Sequence, residues 1–266
     1  MQPIKFILWA FFWIQFARST TIPNSWSWRD HSGVTDVKNQ SACNSGWAFA
    51  AAAAYESYLL RAQGVAYNLS EEYIIQCSGA GDCAGSNQIG MAMDFVAANG
   101  MPTRASLAYS SSVYTIGKAP ENGACSTITI KAGLIVTSRS YTYVSADFLK
   151  QQLYLGVIVS GISMSSSFRN YTGTEAFRCV DTGKYNSFSL EDSQQPWLAS
   201  QLNHYVLLMG YDSSNNFIFK NSFGIGWGDN GYGKVAAGFD CGIRIITIQL
   251  WSYRLAVMVF LAMFFL

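Results

Sequence analysis

Apolar positions are arranged differently in the two halves of the chain. In the first half, the run WAFAAAAAYESYLLRAQG, residues 47–64, is rich in the strongest helix former and ends in glycine, which predicts a long helix. A second helix is predicted from Ser70, an N-cap type residue, through EEYIIQC, and a third through NQIGMAMDFVAANG with Gly100 as its end. The first half is therefore expected to be helical.

After about residue 125 the pattern changes to short β-branched or aromatic runs separated by Gly, Asn, Asp and Ser. These runs are ITIKAGLIVTSRSYTYV, GVIVSGISM, NHYVLLMGYD, FIFKNSF and GYGKVAAG. One helix is predicted near SADFLKQQLYLG, and the segment between about residues 100 and 125, with Pro102 and Pro120, forms the crossover. The pattern predicts an α+β protein with a helical domain over residues 20–120 and an antiparallel sheet or barrel over residues 121–250.

The N-terminus has the pattern of a secretory signal peptide. In MQPIKFILWAFFWIQFARS one early lysine precedes an apolar run, which ends at the triplet Ala17-Arg18-Ser19. We expect cleavage near Ser19, so that residues 1–19 are removed and the chain enters an oxidising compartment. A short buried N-terminal helix is the alternative. Extracellular, lysosomal or vacuolar, and cell-surface locations agree with this expectation.

The C-terminal tail, residues 251–266, is hydrophobic but short. After Arg254 there are 12 uncharged residues, and at ~1.5 Å rise per residue they fall short of a ~30 Å hydrocarbon core. Extending the run upstream brings in Ser252 and Gln249. Three alternatives stay open: a membrane-associated tail, a cleaved lipid-anchor signal, and a tail folded onto the body of the protein.

Composition excludes several other classes. The chain has 266 residues, 50% of them hydrophobic and 12% charged, which is enough for one large or two modest cores. A net charge of +1 without a basic run argues against nucleic-acid binding. Six cysteines suggest three disulfides, although fifteen pairings are formally open. No CxxC spacing occurs and there are only two histidines, so we expect no metal site and no cofactor.

Five blocks of the sequence resemble, in order, those of the papain-like cysteine protease family. They are IPNSWSWRDHSGVTDVKNQSACNSGWAF, LSEEYIIQCSGAGDCAGS, NHYVLLMGYD, FKNSFGIGWGDNGYGKV and CGI, and together they extend over residues 22–243. The resemblance implies a papain-like fold in which a helical left domain and a β-barrel-like right domain face each other across a cleft. It also implies a cysteine-type peptidase reaction in that cleft.

The resemblance implies roles for individual residues. The histidine that exchanges protons with the thiol falls on His204, the orienting asparagine on Asn221 and the oxyanion-hole glutamine on Gln40. Counting from Gln40, or back from Trp47, places the nucleophile position at Gly46, which has no side chain. We therefore expect that peptidase chemistry is lost.

Neighbouring side chains do not obviously replace the nucleophile. Ser45 is one residue earlier, which turns its side chain about 100° around a helix start and away from His204. Cys43 corresponds to a disulfide cysteine of the family. The resemblance suggests three pairs that use all six cysteines: Cys43–Cys83, Cys77–Cys125 and Cys179–Cys241.

The implied substrate-binding residues also depart from the family pattern. They fall on Gly85, Ser86, Asn203 and Trp227, and Ser86 replaces a glycine whose backbone contacts the peptide. Phe223 stands where the family usually has tryptophan, and Asn44 stands in place of a glycine. These changes agree with relaxed selection on a cleft.

Three Asn-x-Ser/Thr sequences match the N-glycosylation pattern. Asn68 and Asn170 lie in loop-like context and are the expected sites, whereas a glycan at Asn39 would crowd the cleft.

Three functional hypotheses follow. The leading one is an inactive secreted or surface pseudo-protease that binds a peptide or protein partner in its cleft. An active cysteine-type endopeptidase is the alternative if Gly46 is a sequence error or is bypassed. The third hypothesis is a surface structural scaffold.

Overall fold

The computed structural model describes residues 21–86, 88–111, 121–127, 129–131, 136–178, 202–237 and 241–252. Within these ranges the helices are α1 (Gly46–Gln63), α2 (Glu71–Cys77), α3 (Ile89–Asn99), α4 (Ala146–Leu155) and α5 (Ser166–Arg169), with a 3-10 turn at Glu121–Ser126. The predictions of α1 to α4 are confirmed. The four-residue α5 was not predicted.

Local chemistry explains where these helices begin and end. Gly64 adopts a left-handed φ of 73° after α1, and its N–H donates to the Leu60 carbonyl. Such a backbone favours glycine because a Cβ is strained there. The hydroxyl of Ser70 accepts the Tyr73 N–H at 3.2 Å, and Ser145 caps α4 in the same way through Phe148. Each cap satisfies a backbone donor that the helix leaves free.

Seven strands among the described residues form one antiparallel sheet. They are β1 (Trp26–Ser27), β2 (Val136–Thr142), β3 (Ile158–Ile162), β4 (His204–Tyr211), β5 (Phe217–Lys220), β6 (Tyr232–Val235) and β7 (Ile246–Ser252). The order is β2-β7-β3-β4-β5-β6, and β1 pairs with β4 through Trp26 opposite Tyr211. Helices packed on an antiparallel sheet confirm the predicted α+β class.

The sheet buries apolar side chains on both faces. On one face, α1, α2 and α3 pack against strands β2, β3, β4 and β7 and bury Trp47, Tyr58 and Leu207. On the other, α4 and α5 cover side chains that include Leu153, Phe168 and Phe219. Helix α1 packs on β4, and its first residue, Gly46, lies next to His204, the first residue of β4.

Strand β7 shows where the apolar residues just before the C-terminal tail lie. Residues 246–252 pair with β2 over the whole strand, with Thr142 opposite Ile246 and Val136 opposite Ser252. This apolar segment is thus part of the sheet. Residues 253–266 and the predicted signal peptide, residues 1–19, lie outside the described residues. In the described part of the chain, no helix combines the length and apolar character that a membrane span needs.

Two of the three expected disulfides are present. Cys43 is bonded to Cys83 and Cys77 to Cys125. The third expected pair includes Cys179, which lies outside the described residues, so it stays a prediction.

Candidate functional site

His204 is the first residue of β4 and is held by Asn221, which follows β5 directly. His204 Nε2 and Asn221 Oδ1 are 2.8 Å apart. The Ser222 N–H also donates to Asn221 Oδ1 at 2.8 Å, which fixes the oxygen of that carboxamide toward the imidazole. Nε2 of His204 therefore carries the proton and donates it, and Nδ1 is left as an acceptor on the opposite side of the ring.

The imidazole is buried. His204 is 5% exposed, and the ring of Phe223 stacks on it with centroids 4.9 Å apart. Burial lowers the pKa of His204 from 6.5 to about 4; the hydrogen bond that the ring donates to Asn221 raises it, and the Arg169 charge lowers it further. A buried imidazole without a facing anion is therefore neutral at pH 7.

Gly46 begins α1 directly opposite Nδ1 of His204. A Cβ on Gly46 would lie 2.6 Å from His204 Nδ1, 2.4 Å from its Cε1 and 3.0 Å from Gln40 Oε1. These separations are shorter than van der Waals contact, so any side chain at position 46 requires a shift of the ring. The imidazole occupies space that a side chain on the helix would need.

Gln40 lies beside Gly46 and is buried. Its Nε2 donates to the Cys43 carbonyl at 2.8 Å, and its Oε1 accepts the Ser222 hydroxyl at 2.6 Å. The backbone N–H of Gln40 donates to the Ser222 carbonyl at 2.9 Å. Ser222 thus joins the Gln40 carboxamide to Asn221 and His204. Sequence reasoning missed this role of Ser222, although its position next to Asn221 was a usable signal.

Ser45 faces away from the histidine. It is fully buried, and its hydroxyl lies 2.9 Å from the hydroxyl of Tyr109, which donates to the Gln40 carbonyl at 2.7 Å. Ser45 therefore donates to Tyr109 and contacts the interior of the helical half. Cys43 is bonded to Cys83. No cysteine in the described residues is a free thiol.

A cleft of about 360 Å³ opens in front of these groups, and its lining includes Gly46, Ser86, Met164, Asn203 and His204. The Ser86 hydroxyl donates to the Ala80 carbonyl at 2.5 Å, and Gly85 exchanges backbone hydrogen bonds with Asp82. The Asn203 carboxamide accepts the Met164 N–H at 2.7 Å and donates to its carbonyl at 3.0 Å. Both polar walls are therefore held in place before any ligand enters.

A second groove of about 480 Å³ adjoins the cleft, and Arg169 and Phe223 line both. Trp227 lines the second groove and not the first, and its indole N–H donates to the Phe168 carbonyl at 2.8 Å. Arg169, at the end of α5, was not a sequence candidate, because nothing in its local sequence links it to His204.

A metal centre has no support among the residues that the structure describes. No group of three or more His, Cys, Asp or Glu side chains there is placed to hold an ion.

An antiparallel sheet with helices packed on it, and a cleft at the start of the longest helix, define a papain-like fold. A family profile described as "Papain family cysteine protease" matches residues 22–249, and the chain belongs to this family. The solved bromelain protease of Ananas comosus in complex with the E64 inhibitor superimposes with a TM-score of 0.67 at 26% identity, over 86% of this chain and 99% of bromelain.

The sequence relatives include proteins named as a cysteine protease and a thiol protease. Ananain of Ananas comosus is 31% identical over 239 residues, which cover 85% of this chain and 61% of ananain. Cathepsin L2 of Homo sapiens is 30% identical over 234 residues, which cover 84% of this chain and 64% of that protein. The chain spans about 60% of the length of the curated relatives it matches.

Proposed function

We propose that this papain-family chain is a pseudo-protease that holds an extended peptide or a partner segment in its cleft without cleaving it. In this proposal His204, Asn221 and Gln40 occupy the positions of the catalytic histidine, the orienting asparagine and the oxyanion-hole glutamine. Gly46 occupies the position of the nucleophilic cysteine.

One observation carries the proposal: the residue that begins α1 opposite His204 Nδ1 is a glycine. The thiol that a cysteine peptidase uses stands at this kind of position, where a helix N-terminus and an imidazolium lower its pKa. Gly46 offers no atom that can attack a carbonyl, so no acyl-enzyme forms through it. In a hydrolytic triad, loss of the nucleophile lowers kcat by about 10⁶-fold.

The state of His204 supports the same proposal. An active cysteine–histidine pair needs an imidazolium, which is stable in a buried site only beside a thiolate. Here burial lowers the pKa of His204 to about 4, and the ring lies within 2.6 Å of where a Cβ on Gly46 would be. The imidazole thus lines the cleft as an uncharged group.

The cleft supports binding in the absence of turnover. Its volume of about 360 Å³ falls within the ~300–1,000 Å³ range of ligand pockets, and its walls at Ser86 and Asn203 are fixed by hydrogen bonds. An extended peptide can bind such a preformed groove through its backbone.

Two disulfides indicate an oxidising compartment. With the signal-peptide pattern of residues 1–19, they support a secreted or surface location, and the hydrophobic residues after Arg254 support membrane association.

An active peptidase is the competing function, and relatives named as cysteine or thiol proteases favour it. Activity would require a nucleophile other than a thiol at position 46.

Hydrolysis of a fluorogenic dipeptide amide, together with labelling by a thiol-directed epoxide, tests the proposal. We expect the protein to show neither, and to match its Gly46→Ala variant. Gly46→Cys introduces the missing thiol, and Gly46→Cys with His204→Ala is its matched control, because it has the thiol without the base. Turnover by the unaltered protein that exceeds the Gly46→Ala background would refute the proposal.

Binding is tested separately with blocked extended peptides, followed by fluorescence anisotropy. Met164→Trp fills the cleft from its wall and should weaken binding at least tenfold, whereas Met91→Trp on the exposed face of α3 should not. If the peptides do not bind, or if Met164→Trp leaves binding unchanged, the cleft is not the binding site and a scaffold role gains support.

A further inference from the structure

The acceptor sequence Asn170-Tyr171-Thr172 begins directly after α5, in a loop whose polar side chains face solvent. Asn170 and Thr172 are exposed, and neither side chain makes a hydrogen bond within the described part of the chain. The backbone is held: the Asn170 N–H donates to the Ser166 carbonyl at 3.2 Å, and the Gly228 N–H donates to the Tyr171 carbonyl at 2.9 Å. The acceptor amide is thus accessible on a fixed turn.

Asn170 also lines the groove of about 480 Å³ beside the cleft, together with Arg169, Tyr171, Phe223 and Trp227. Arg169 and Phe223 belong to the cleft as well, so groove and cleft are continuous at these two residues. A group attached to Asn170 therefore has a cavity next to it that leads toward His204.

Asn39 lines the same groove and starts a second acceptor sequence, but its side chain is engaged. Its Oδ1 accepts the Ser41 N–H at 2.8 Å, and its backbone pairs with Phe223. Its Nδ2 lies 3.1 Å from the position of a Cβ on Gly224, which places the amide against the neighbouring loop. An oligosaccharide on Asn39 would have to displace that loop, whereas the exposed Asn170 side chain has no hydrogen bond to a described residue that must be broken.

We propose that Asn170 carries an N-linked oligosaccharide whose first sugars lie over the groove and close that end of the cleft. In its formation Asn170 Nδ2 attacks the anomeric carbon of a polyprenyl-diphosphate-linked oligosaccharide. The carbon–oxygen bond to the diphosphate breaks, Nδ2 loses one proton, and the polyprenyl diphosphate leaves. The groove is the right size, since ligand pockets span ~300–1,000 Å³, and the apolar faces of sugars pack on rings such as those of Tyr171 and Phe223.

An oligosaccharide in this position leaves only one end of the cleft open. The end at Ser86 and Met164 stays open, while the end beyond Phe223 is covered, so a ligand enters from the Ser86 side. That consequence for the ligand rests on the proposed function; the presence and position of the oligosaccharide do not.

The experiment uses the full chain secreted by a eukaryotic host, compared with Thr172→Ala, which destroys the acceptor sequence, and Thr172→Ser, which keeps it. Occupancy is read by peptide mass spectrometry after amidase release in ¹⁸O-labelled water. Coverage is read by the rate at which an arylglyoxal modifies Arg169, with the exposed Arg139 on β2 as internal reference.

We expect Asn170 to be occupied in the unaltered protein and in Thr172→Ser. Arg169 should react at least threefold more slowly in these two than in Thr172→Ala, with Arg139 unchanged. An unmodified Asn170 would overturn the proposal, and an occupied Asn170 with equal Arg169 rates would overturn its position over the groove. Neither readout depends on peptide binding or hydrolysis, so failure here is distinct from failure of the proposed function.

Discussion

At the scale of single residues, the charge state of His204 depends on the groups that surround its ring. The ring has its Asn221 hydrogen bond at 2.8 Å and its Phe223 stacking, and Gly46 lies opposite Nδ1. Burial then dominates and lowers the pKa to about 4. The contacts that orient the imidazole are present, and among the described residues the charged group that affects its pKa is Arg169, a cation.

The lowered pKa predicts a dependence of stability on pH. The folded state favours neutral His204, so between pH 6.5 and about 4 the unfolded chain binds the additional proton. Stability due to this residue is complete above pH 6.5 and is lost as pH falls toward 4, by up to about 3 kcal/mol. Urea unfolding at pH 7 and at pH 4.5 measures this difference.

Two variants separate the contribution of His204 to the pH dependence of stability from that of the carboxylates, which titrate in the same pH range. His204→Gln should lose a substantial part of the pH dependence, whereas His31→Gln, which keeps His204, should retain it. An identical pH dependence in His204→Gln and the unaltered protein would show that the buried imidazole does not contribute.

The contact between Gly46 and His204 predicts an energetic coupling. Gly46→Ala should destabilise the protein by about 1–3 kcal/mol, because the new Cβ overlaps the ring and forces it to move. In a His204→Ala background most of that cost should disappear, because only the 3.0 Å approach to Gln40 Oε1 remains. A double-mutant cycle on the free energy of unfolding measures the coupling. Additive effects of the two substitutions would contradict the close approach.

The sequence predicted the identities of these residues better than their contacts. His204, Asn221, Gln40 and Gly46 are brought together, as the resemblance implied. Residue spacing could not predict that the imidazole occupies the space beside Gly46. A shift of the ring by less than an ångström would change that contact. The role of Ser222 also depends on contacts between segments that are 182 positions apart.

At the scale of elements, a buried ion network joins the segment before Gln40 to two helices. Lys38 Nζ lies 2.5 Å from Glu56 Oε1 on α1 and 2.7 Å from Glu71 Oε1 on α2, and donates to the Leu69 carbonyl at 2.9 Å. Both carboxylates have side chains only 1% exposed. Burial raises the pKa of Glu71, and the charge of Lys38 opposes that rise.

Removing the charge of Lys38 should therefore destabilise the folded protein. Lys38→Met leaves Glu56 buried without its cation and Glu71 with Arg104 alone, at 3.1 Å, and we expect a loss of about 3–5 kcal/mol in the free energy of unfolding. Lys234→Met is the matched control, because Lys234 pairs with Asp212 at 3.5 Å and its side chain is 40% exposed; such a pair is worth about 0–1 kcal/mol. Equal losses in urea unfolding would argue against the network.

Helices and strands could be predicted from the sequence where local residues mark their ends. Helices α1 to α3 have caps or end in glycine, and these signals located their ends to within two residues. Strand β1 has two residues and exists only because Trp26 and Ser27 pair with β4, so no local pattern could reveal it. In β7, residues 246–250 belong to the predicted β-rich domain, whereas Trp251 and Ser252 fall in the predicted tail, and their pairing with β2 shows that they continue the strand.

At the scale of the whole molecule, the predicted domains of residues 20–120 and 121–250 share packing and hydrogen bonds. The Trp28 indole N–H donates to the Leu153 carbonyl at 2.7 Å, and Arg61 donates to the Leu155 carbonyl at 3.0 Å. From the other side, Lys220 Nζ donates to the Thr35 carbonyl at 2.9 Å. One apolar cluster also contains residues of both halves, Tyr58 and Leu207 among them. Separating the halves would expose these groups.

This sharing predicts that the protein unfolds in one cooperative transition. Domains with small polar interfaces unfold independently, whereas an apolar interface makes each half depend on the other. Calorimetry should give a single peak whose calorimetric and van't Hoff enthalpies agree, with coincident helical and tryptophan signals. Ala52→Asp, on the buried face of α1, should shift both signals together. Two separate transitions would instead mean that the cleft lies between domains that fold independently, and that the shared cluster contributes less than the energy needed to couple them.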